Sequence, residues 1–208
     1  MLKTERMDRV RAALRAQGLT QMIVCDPKSV WYLTGVAVEP YERLLALYLP
    51  TEGEPVLFLN RLFNVPEPPC RTVWHTDTDK PVAQIAEVVD AGRPLGIDKE
   101  WPAKFLIPLM ETHPGMQVVL SSDCVDDCRA CKDAEEQALM REASRINDAV
   151  NEAAKHYIKA GMTEREVAEF IDAQFRAHGC EGPSFTTIVS FGANAADPHH
   201  EPDDTVLK

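Results

Sequence analysis

The sequence predicts an α/β protein in which a mixed first part is followed by a helical second part. Through about residue 120, short apolar runs alternate with amphipathic segments, as strands and helices do in a mixed sheet domain. Between residues 133 and 179 the apolar residues recur at helical spacing, so two long helices are expected there. A chain of 208 residues can form one large domain or two modest ones.

The first three elements are predicted from periodicity and end signals. Residues 4–17 have helical spacing and are followed by Gly18, a residue suited to a helix C-terminus. Residues 21–25 form a short apolar run typical of a buried strand. Asp26 and Pro27 then favour a helix start, and the helix is expected to end at Gly35.

A hairpin is predicted next, from the apolar runs 44–49 and 55–59 on either side of a Pro/Gly turn. The Pro-rich stretch 60–80 contains one further candidate strand. The remaining elements of the first part are a strand at 72–74, a helix at 82–89, a strand at 95–97, a helix after residue 102 and a strand at 117–120. Together they give a mixed α/β domain.

The second part begins with a helix expected over residues 133–160. Asp133 and Glu136 form a capping-box pattern, and Thr163 with Glu166 repeats it before a second helix that ends at Gly179. The first helix carries one apolar stripe, made of Leu139, Ala143, Ile146, Val150, Ala153 and Tyr157. A change in composition around 121–131 places a domain boundary after residue 127, giving domains 1–127 and 128–208.

Charge and composition exclude several classes of partner. A formal net charge of −11 disfavours nucleic acid and anionic membranes, since both need clustered Lys and Arg. No apolar run is long enough to cross a bilayer and no signal-peptide core is present, so a cytoplasmic location is expected. The cysteines are expected to be reduced. The spacing Cys124, Cys128, Cys131 lacks a second ligand pair, so ordinary thiols are favoured over a zinc site.

The best candidate site is the stretch 185–202. A β-branched run, interpreted as a strand, leads into a Gly/Asn/Pro loop that contains His199 and His200. Pro198 restricts the backbone just before them. An imidazole held there could orient a substrate carbonyl or carry a proton, whereas adjacent histidines diverge too much to share a metal. Asp203 and Asp204 fit a solvated turn better than a cation site. These residues alone do not specify a reaction.

The order of motifs resembles the metal-dependent Xaa-Pro peptidases, the group of prolidase, aminopeptidase P and creatinase. Five segments carry the resemblance in the family's order: 30–35 with its YLTG pattern, 42–47, 129–136, 161–164 with its GxTE pattern, and 190–202 with its PH pattern. The resemblance implies a creatinase/prolidase-like amino-terminal α/β domain, followed by the first half of a "pita-bread" catalytic domain.

The resemblance also implies a function. Family members hold a divalent metal pair (Mn, Co or Zn), which activates water for attack on the bond before proline. The expected substrate is therefore a proline-containing peptide, and a homodimer is the implied assembly. His199 matches the family histidine that contacts substrate and serves in catalysis. His200 matches a variable position beside it and is included as a substrate-binding candidate.

One departure from the family pattern limits these expectations. The family's metal ligands, two Asp, one His and two Glu, lie beyond the histidine loop, so no metal ligand is assigned within this chain. We therefore expect the 208-residue chain alone to be inactive. A fragment of a longer peptidase is favoured over a short protein that has lost catalysis, because half of such a fold would expose apolar surface. A metal-free creatinase-like amidinohydrolase and a non-catalytic binding or dimerisation module are the alternatives.

Overall fold

The computed structural model describes residues 2–208 and divides the chain into two compact units. The first unit ends at Cys131, and the second runs from Lys132 to Lys208. The mixed α/β class predicted from the sequence is confirmed by the sheet and helices of the first unit.

Helices and strands alternate along the first unit, as the sequence predicts. Their bounds are α1 Thr4–Ala16, β1 Gln21–Val24, α2 Pro27–Thr34, β2 Ala46–Pro50, β3 Val56–Asn60, β4 Arg71–His75, α3 Pro81–Ala86, β5 Leu95–Ile97, α4 Ala103–Thr112, β6 Val118–Leu120 and α5 Asp123–Ala130. The Asp26 carboxylate caps α2 as predicted, accepting the Ser29 N–H at 2.8 Å. Helix α5 was not predicted, because Asp is a weak former of helix interiors. Its buried Cys124 and Val125 pack with α1.

The six strands form one sheet in the order β4-β3-β2-β1-β5-β6. Strand β2 is antiparallel to both β1 and β3, which confirms the predicted hairpin. The pairs β1–β5, β5–β6 and β3–β4 are parallel. All strands except β2 therefore point the same way, and their carboxyl ends share one edge of the sheet.

Helices cover both faces of this sheet. One apolar core contains residues of α1, α2 and α5, and the other contains residues of α3 and α4. Alternate strand residues supply the two cores, so Met22 faces the first and Ile23 the second. The chain thus leaves β1 on one face and leaves β5 on the other.

The second unit consists of α6 Ala134–Tyr157, α7 Glu164–Ala177 and a 3-10 turn at Gly192–Ala196. Both predicted capping boxes are present. The Tyr157 ring stacks on Phe170 with centroids 3.8 Å apart, so the two helices are packed together. No helix in residues 2–208 has the length and apolarity needed to cross a bilayer.

Much of the apolar stripe of α6 is uncovered: Val150 is buried, but Leu139 is 65% exposed. One expectation for the second unit is wrong. The run 185–190 forms no strand, although it is β-branched. A strand needs a neighbour to accept and donate its backbone hydrogen bonds, and this unit has only the single bridge Thr163–Val206 among its described residues.

Gly96, in the middle of β5, gives a test of how tightly the sheet is packed. A Cβ added there would lie 2.5 Å from Ser121 Oγ and 3.2 Å from the Gln21 carbonyl oxygen. We expect Gly96→Ala to lower the free energy of unfolding by roughly 1–3 kcal/mol. Adding Ser121→Ala should restore part of the loss, since it removes the nearer contact. Chemical denaturation measures both effects.

The matched control is Gly182→Ala, where the added Cβ meets nothing within 4 Å. It should leave stability nearly unchanged. A Gly96→Ala protein as stable as the parent would contradict the described packing around β5.

Candidate functional site: the histidine loop

The histidine loop, residues 190–203, is organised around Glu164. This residue follows the N-cap Thr163 and is the first of α7. The capping box between Thr163 and Glu166 fixes the helix start, so the position of Glu164 is set locally. Its side chain is completely buried.

Both carboxylate oxygens of Glu164 accept hydrogen bonds from the loop. Oε1 accepts from the Phe191 N–H at 2.5 Å and from Asn194 Nδ2 at 3.1 Å. Oε2 accepts from His200 Nε2 at 2.7 Å and from the Asp203 N–H at 3.2 Å. Donors from both ends of the loop therefore converge on one buried charge, which closes the loop over the start of α7.

The proton positions in this cluster follow from the donors available. Asn194 has two amide hydrogens, and these reach Glu164 Oε1 and Thr205 Oγ1, each at 3.1 Å. His200 Nε2 lies 2.7 Å from a carboxylate oxygen, so this nitrogen carries a proton and donates it. The 3.1 Å approach of Asn194 Nδ2 to His200 Nε2 is then a contact between two donors.

Hydrogen bonding dominates the electrostatics of Glu164. Burial by itself raises the pKa of this carboxyl. The bonds donated by Phe191, Asp203, His200 and Asn194 outweigh burial and lower the pKa to about 2. Glu164 is therefore ionised at neutral pH and is a fixed acceptor for the loop.

The two adjacent histidines have different environments. His200 is half-buried and bound to Glu164, whereas His199 is exposed. The His199 backbone N–H donates to Asp197 Oδ1 at 2.9 Å, which orders the turn after the 3-10 segment. The catalytic role of His199 and the substrate-binding role of both histidines stay predictions. The geometry adds that only the His199 ring projects to solvent.

Sequence reasoning missed Glu164, although it lies in the GxTE segment. The available signal was an acidic residue directly after a capping Thr and before the amphipathic stripe of α7. That signal predicts a helix start and does not reveal burial. Ser190, the first residue of the loop, was also missed: its hydroxyl oxygen is buried and has no hydrogen-bond partner within residues 2–208.

The residues present were compared with the needs of a metal pair. Glu164, His200 and Asp203 bring three possible ligand atoms within 4.8 Å of one another. Glu164 already accepts four hydrogen bonds, two of them from the backbone N–H groups of Phe191 and Asp203. Asp203 Oδ1 also accepts the Thr205 N–H at 2.7 Å. Glu164 and its four hydrogen-bond donors, Phe191, Asn194, His200 and Asp203, form a clamp that holds the loop. They do not fit a site for two divalent ions.

Two family models match the chain. The creatinase/prolidase N-terminal domain matches residues 6–131, and metallopeptidase family M24 matches residues 138–208. An uncharacterized peptidase of Staphylococcus aureus (strain MSSA476) is 32% identical over 196 residues, covering 89% of this chain and 53% of the relative. The chain spans about half the length of the curated relatives that it matches.

Solved structures give the same picture. A dipeptidase from Mycobacterium ulcerans is 29% identical with a TM-score of 0.87, covering 99% of this chain and 57% of its own. A prolidase from Thermococcus sibiricus is 26% identical with a TM-score of 0.88, covering 100% of this chain and 59% of its own.

Replacing the buried carboxylate should loosen the loop. Glu164→Gln keeps the shape but brings an NH2 group against donors that need an acceptor. We expect a lower melting temperature and faster amide exchange at Phe191 and Asp203. The matched control is Glu169→Gln, an exposed position of the same helix, which should change neither. Equal effects of the two substitutions would contradict the clamp.

Acid should release the same clamp. The folded-state pKa of Glu164 lies below its ordinary value of 4.5, at about 2. Its contribution to stability is therefore complete above pH 4.5 and is lost as the pH falls towards 2. In Glu164→Gln that part of the acid dependence should be missing. Urea unfolding at a series of pH values in this window measures the difference, and parallel curves would refute it.

Proposed function

Because the chain belongs to the creatinase/prolidase family of M24 metallopeptidases, we propose that it provides the amino-terminal domain and histidine loop of a peptidase that cleaves the bond before proline. The observation that carries the proposal is the clamp on Glu164, which holds the loop from both ends and leaves the His199 ring exposed. The prolidase and dipeptidase among the structural neighbours support this substrate class.

His199 is proposed to contact the substrate. Its ring has no hydrogen bond or ion pair to other residues in the described chain, so both ring nitrogens are available. An imidazole can donate to a substrate carbonyl oxygen, where negative charge develops during attack. Pro198 before it and the Asp197 turn behind it limit its movement, which favours a defined approach.

His200 is proposed to position its neighbour. Its ring is tied to Glu164 and therefore cannot turn towards a substrate without breaking a charge-assisted bond. A change at His200 should act on the placement of His199 and on stability, whereas a change at His199 should act on turnover alone.

Divalent metal is the expected cofactor of the family, and it supplies activated water when bound. Since the clamp around Glu164 does not fit a metal pair, the 208-residue chain is proposed to lack peptidase activity by itself. The activity is proposed for a form that also contains the length present in the relatives and not in this chain.

The test compares the 208-residue chain with such an extended form, each with Mn²⁺ or Co²⁺, on glycyl-proline and on longer Xaa-Pro peptides. Only the extended form should hydrolyse them. In that form His199→Ala should lower kcat/KM by about 10²–10³, the usual effect of losing one transition-state donor. His200→Ala should lower the melting temperature as well as activity.

Other outcomes distinguish the alternatives. Hydrolysis of creatine without metal would favour the amidinohydrolase. A folded, metal-loaded extended form that binds Xaa-Pro peptides without cleaving them would favour a binding module. Turnover by the verified 208-residue chain would show that its own residues suffice for peptidase activity and would contradict the proposal.

A further inference from the structure

A cleft of about 410 Å³ lies within the first unit. It opens at the carboxyl ends of β1 and β5, where Cys25 and Asp26 follow one strand and Asp98 and Lys99 follow the other. The chain leaves these neighbouring parallel strands on opposite faces of the sheet. Where the chain leaves two neighbouring parallel strands towards opposite faces of the sheet, a crevice forms that α/β proteins commonly use to bind ligands.

The base of the cleft is held rigidly by Asp98, which is buried. One carboxylate oxygen accepts the N–H groups of Cys25 and Asp26 at 3.3 and 3.1 Å, and the other accepts the Glu100 N–H at 3.0 Å. These bonds join the ends of β1 and β5 across the sheet. The cleft is therefore a preformed feature, as ligand pockets usually are.

Part of the charge in the cleft is already paired. Arg129 donates to Asp26 at 3.1 Å and to the Ser29 hydroxyl at 3.0 Å. Lys99 pairs with Asp126 at 2.5 Å. These groups satisfy one another and form the wall between α2 and α5.

Three exposed charges of the cleft have no such partner. The side chains of Lys28, Glu39 and Glu100 make no hydrogen bond or ion pair within residues 2–208. One cation and two carboxylates thus face the same opening. A purely anionic ligand would meet the two carboxylates, and a purely cationic ligand would leave Lys28 unused.

The rest of the lining is aromatic. Tyr41, Trp101 and Phe105 border the cleft, and the Tyr41 ring is 80% exposed. Tyr41 has a φ of +51°, a left-handed conformation that is uncommon for a bulky residue. Trp101 is 94% buried, and its indole nitrogen has no hydrogen-bond partner in the described chain. A buried donor of this kind costs stability unless something accepts its hydrogen.

The thiol of Cys25, at the end of the cleft, is poorly suited to act as a catalytic nucleophile. Burial, together with the charges of Asp98 and Asp26, raises the pKa of Cys25. The thiol therefore stays protonated and is a poor nucleophile.

We propose that this cleft binds a small zwitterion with an apolar side chain, namely a free aliphatic or aromatic amino acid. Its ammonium group would meet Glu39 and Glu100, its carboxylate would meet Lys28, and its side chain would pack on the aromatic rings. The cleft volume of about 410 Å³ falls in the usual range of roughly 300–1,000 Å³ for small-molecule sites. The site is independent of the proposed peptidase activity.

The test is an NMR titration of the 15N-labelled 208-residue chain with L-phenylalanine, L-leucine and L-proline. At least one should move the Trp101 indole N–H resonance saturably, and Trp101→Phe identifies that resonance. For the amino acid that binds, the N-acetyl and carboxamide derivatives each lack one charge. Each should bind at least about tenfold more weakly, as loss of a charged hydrogen bond implies.

Two variants and two matched controls locate the site. Lys28→Met and Glu100→Gln, both at exposed positions, should weaken binding by roughly tenfold. Lys155→Met and Glu169→Gln make the same changes at exposed positions of the second unit and should leave it unchanged. The absence of any saturable shift of the Trp101 resonance would overturn the proposal. So would equal affinity for the singly charged derivatives, or unchanged binding by Lys28→Met and Glu100→Gln.

Discussion

Each unit of this protein depends on a buried carboxylate that gathers donors from distant parts of the chain. In the second unit Glu164 accepts from residues 27 to 39 positions further along. In the first unit Asp98 accepts from Cys25 and Asp26, more than 70 positions earlier. A buried charge is costly unless several donors reach it, so these donors must be in place for the unit to be stable. The hydrogen bonds to these two carboxylates therefore fix the geometry of the loops that carry the candidate sites.

The division between the two histidines follows from the same interaction. Adjacent residues in a turn point in different directions, and the carboxylate of Glu164 selects the ring that turns inward. His200 then fixes the backbone from which His199 projects. The two side chains therefore differ in what they can contact, since the His200 ring is bonded to Glu164 and the His199 ring is exposed.

Features that depend on residues close together in the sequence could be predicted. Features that depend on contacts between distant residues could not. The Asp26 cap, the two capping boxes and the β2–β3 hairpin depend on residues within a few positions, so their patterns could be recognised. The run 185–190 has the composition of a strand, but pairing depends on a neighbour that composition does not reveal. The burial of Glu164 is likewise set by the path of a loop some thirty residues away.

The position of β1 in the sheet also governs the order in which the first unit can form during synthesis. This central strand is made early, yet its parallel partner β5 begins at Leu95. A nascent chain that has emerged only as far as the β2–β3 hairpin has one side of β1 paired and the other open. Such an open side can associate with other chains. Completion of the sheet therefore waits for long-range closure, whereas α6 and α7 pack together within one continuous stretch of the chain.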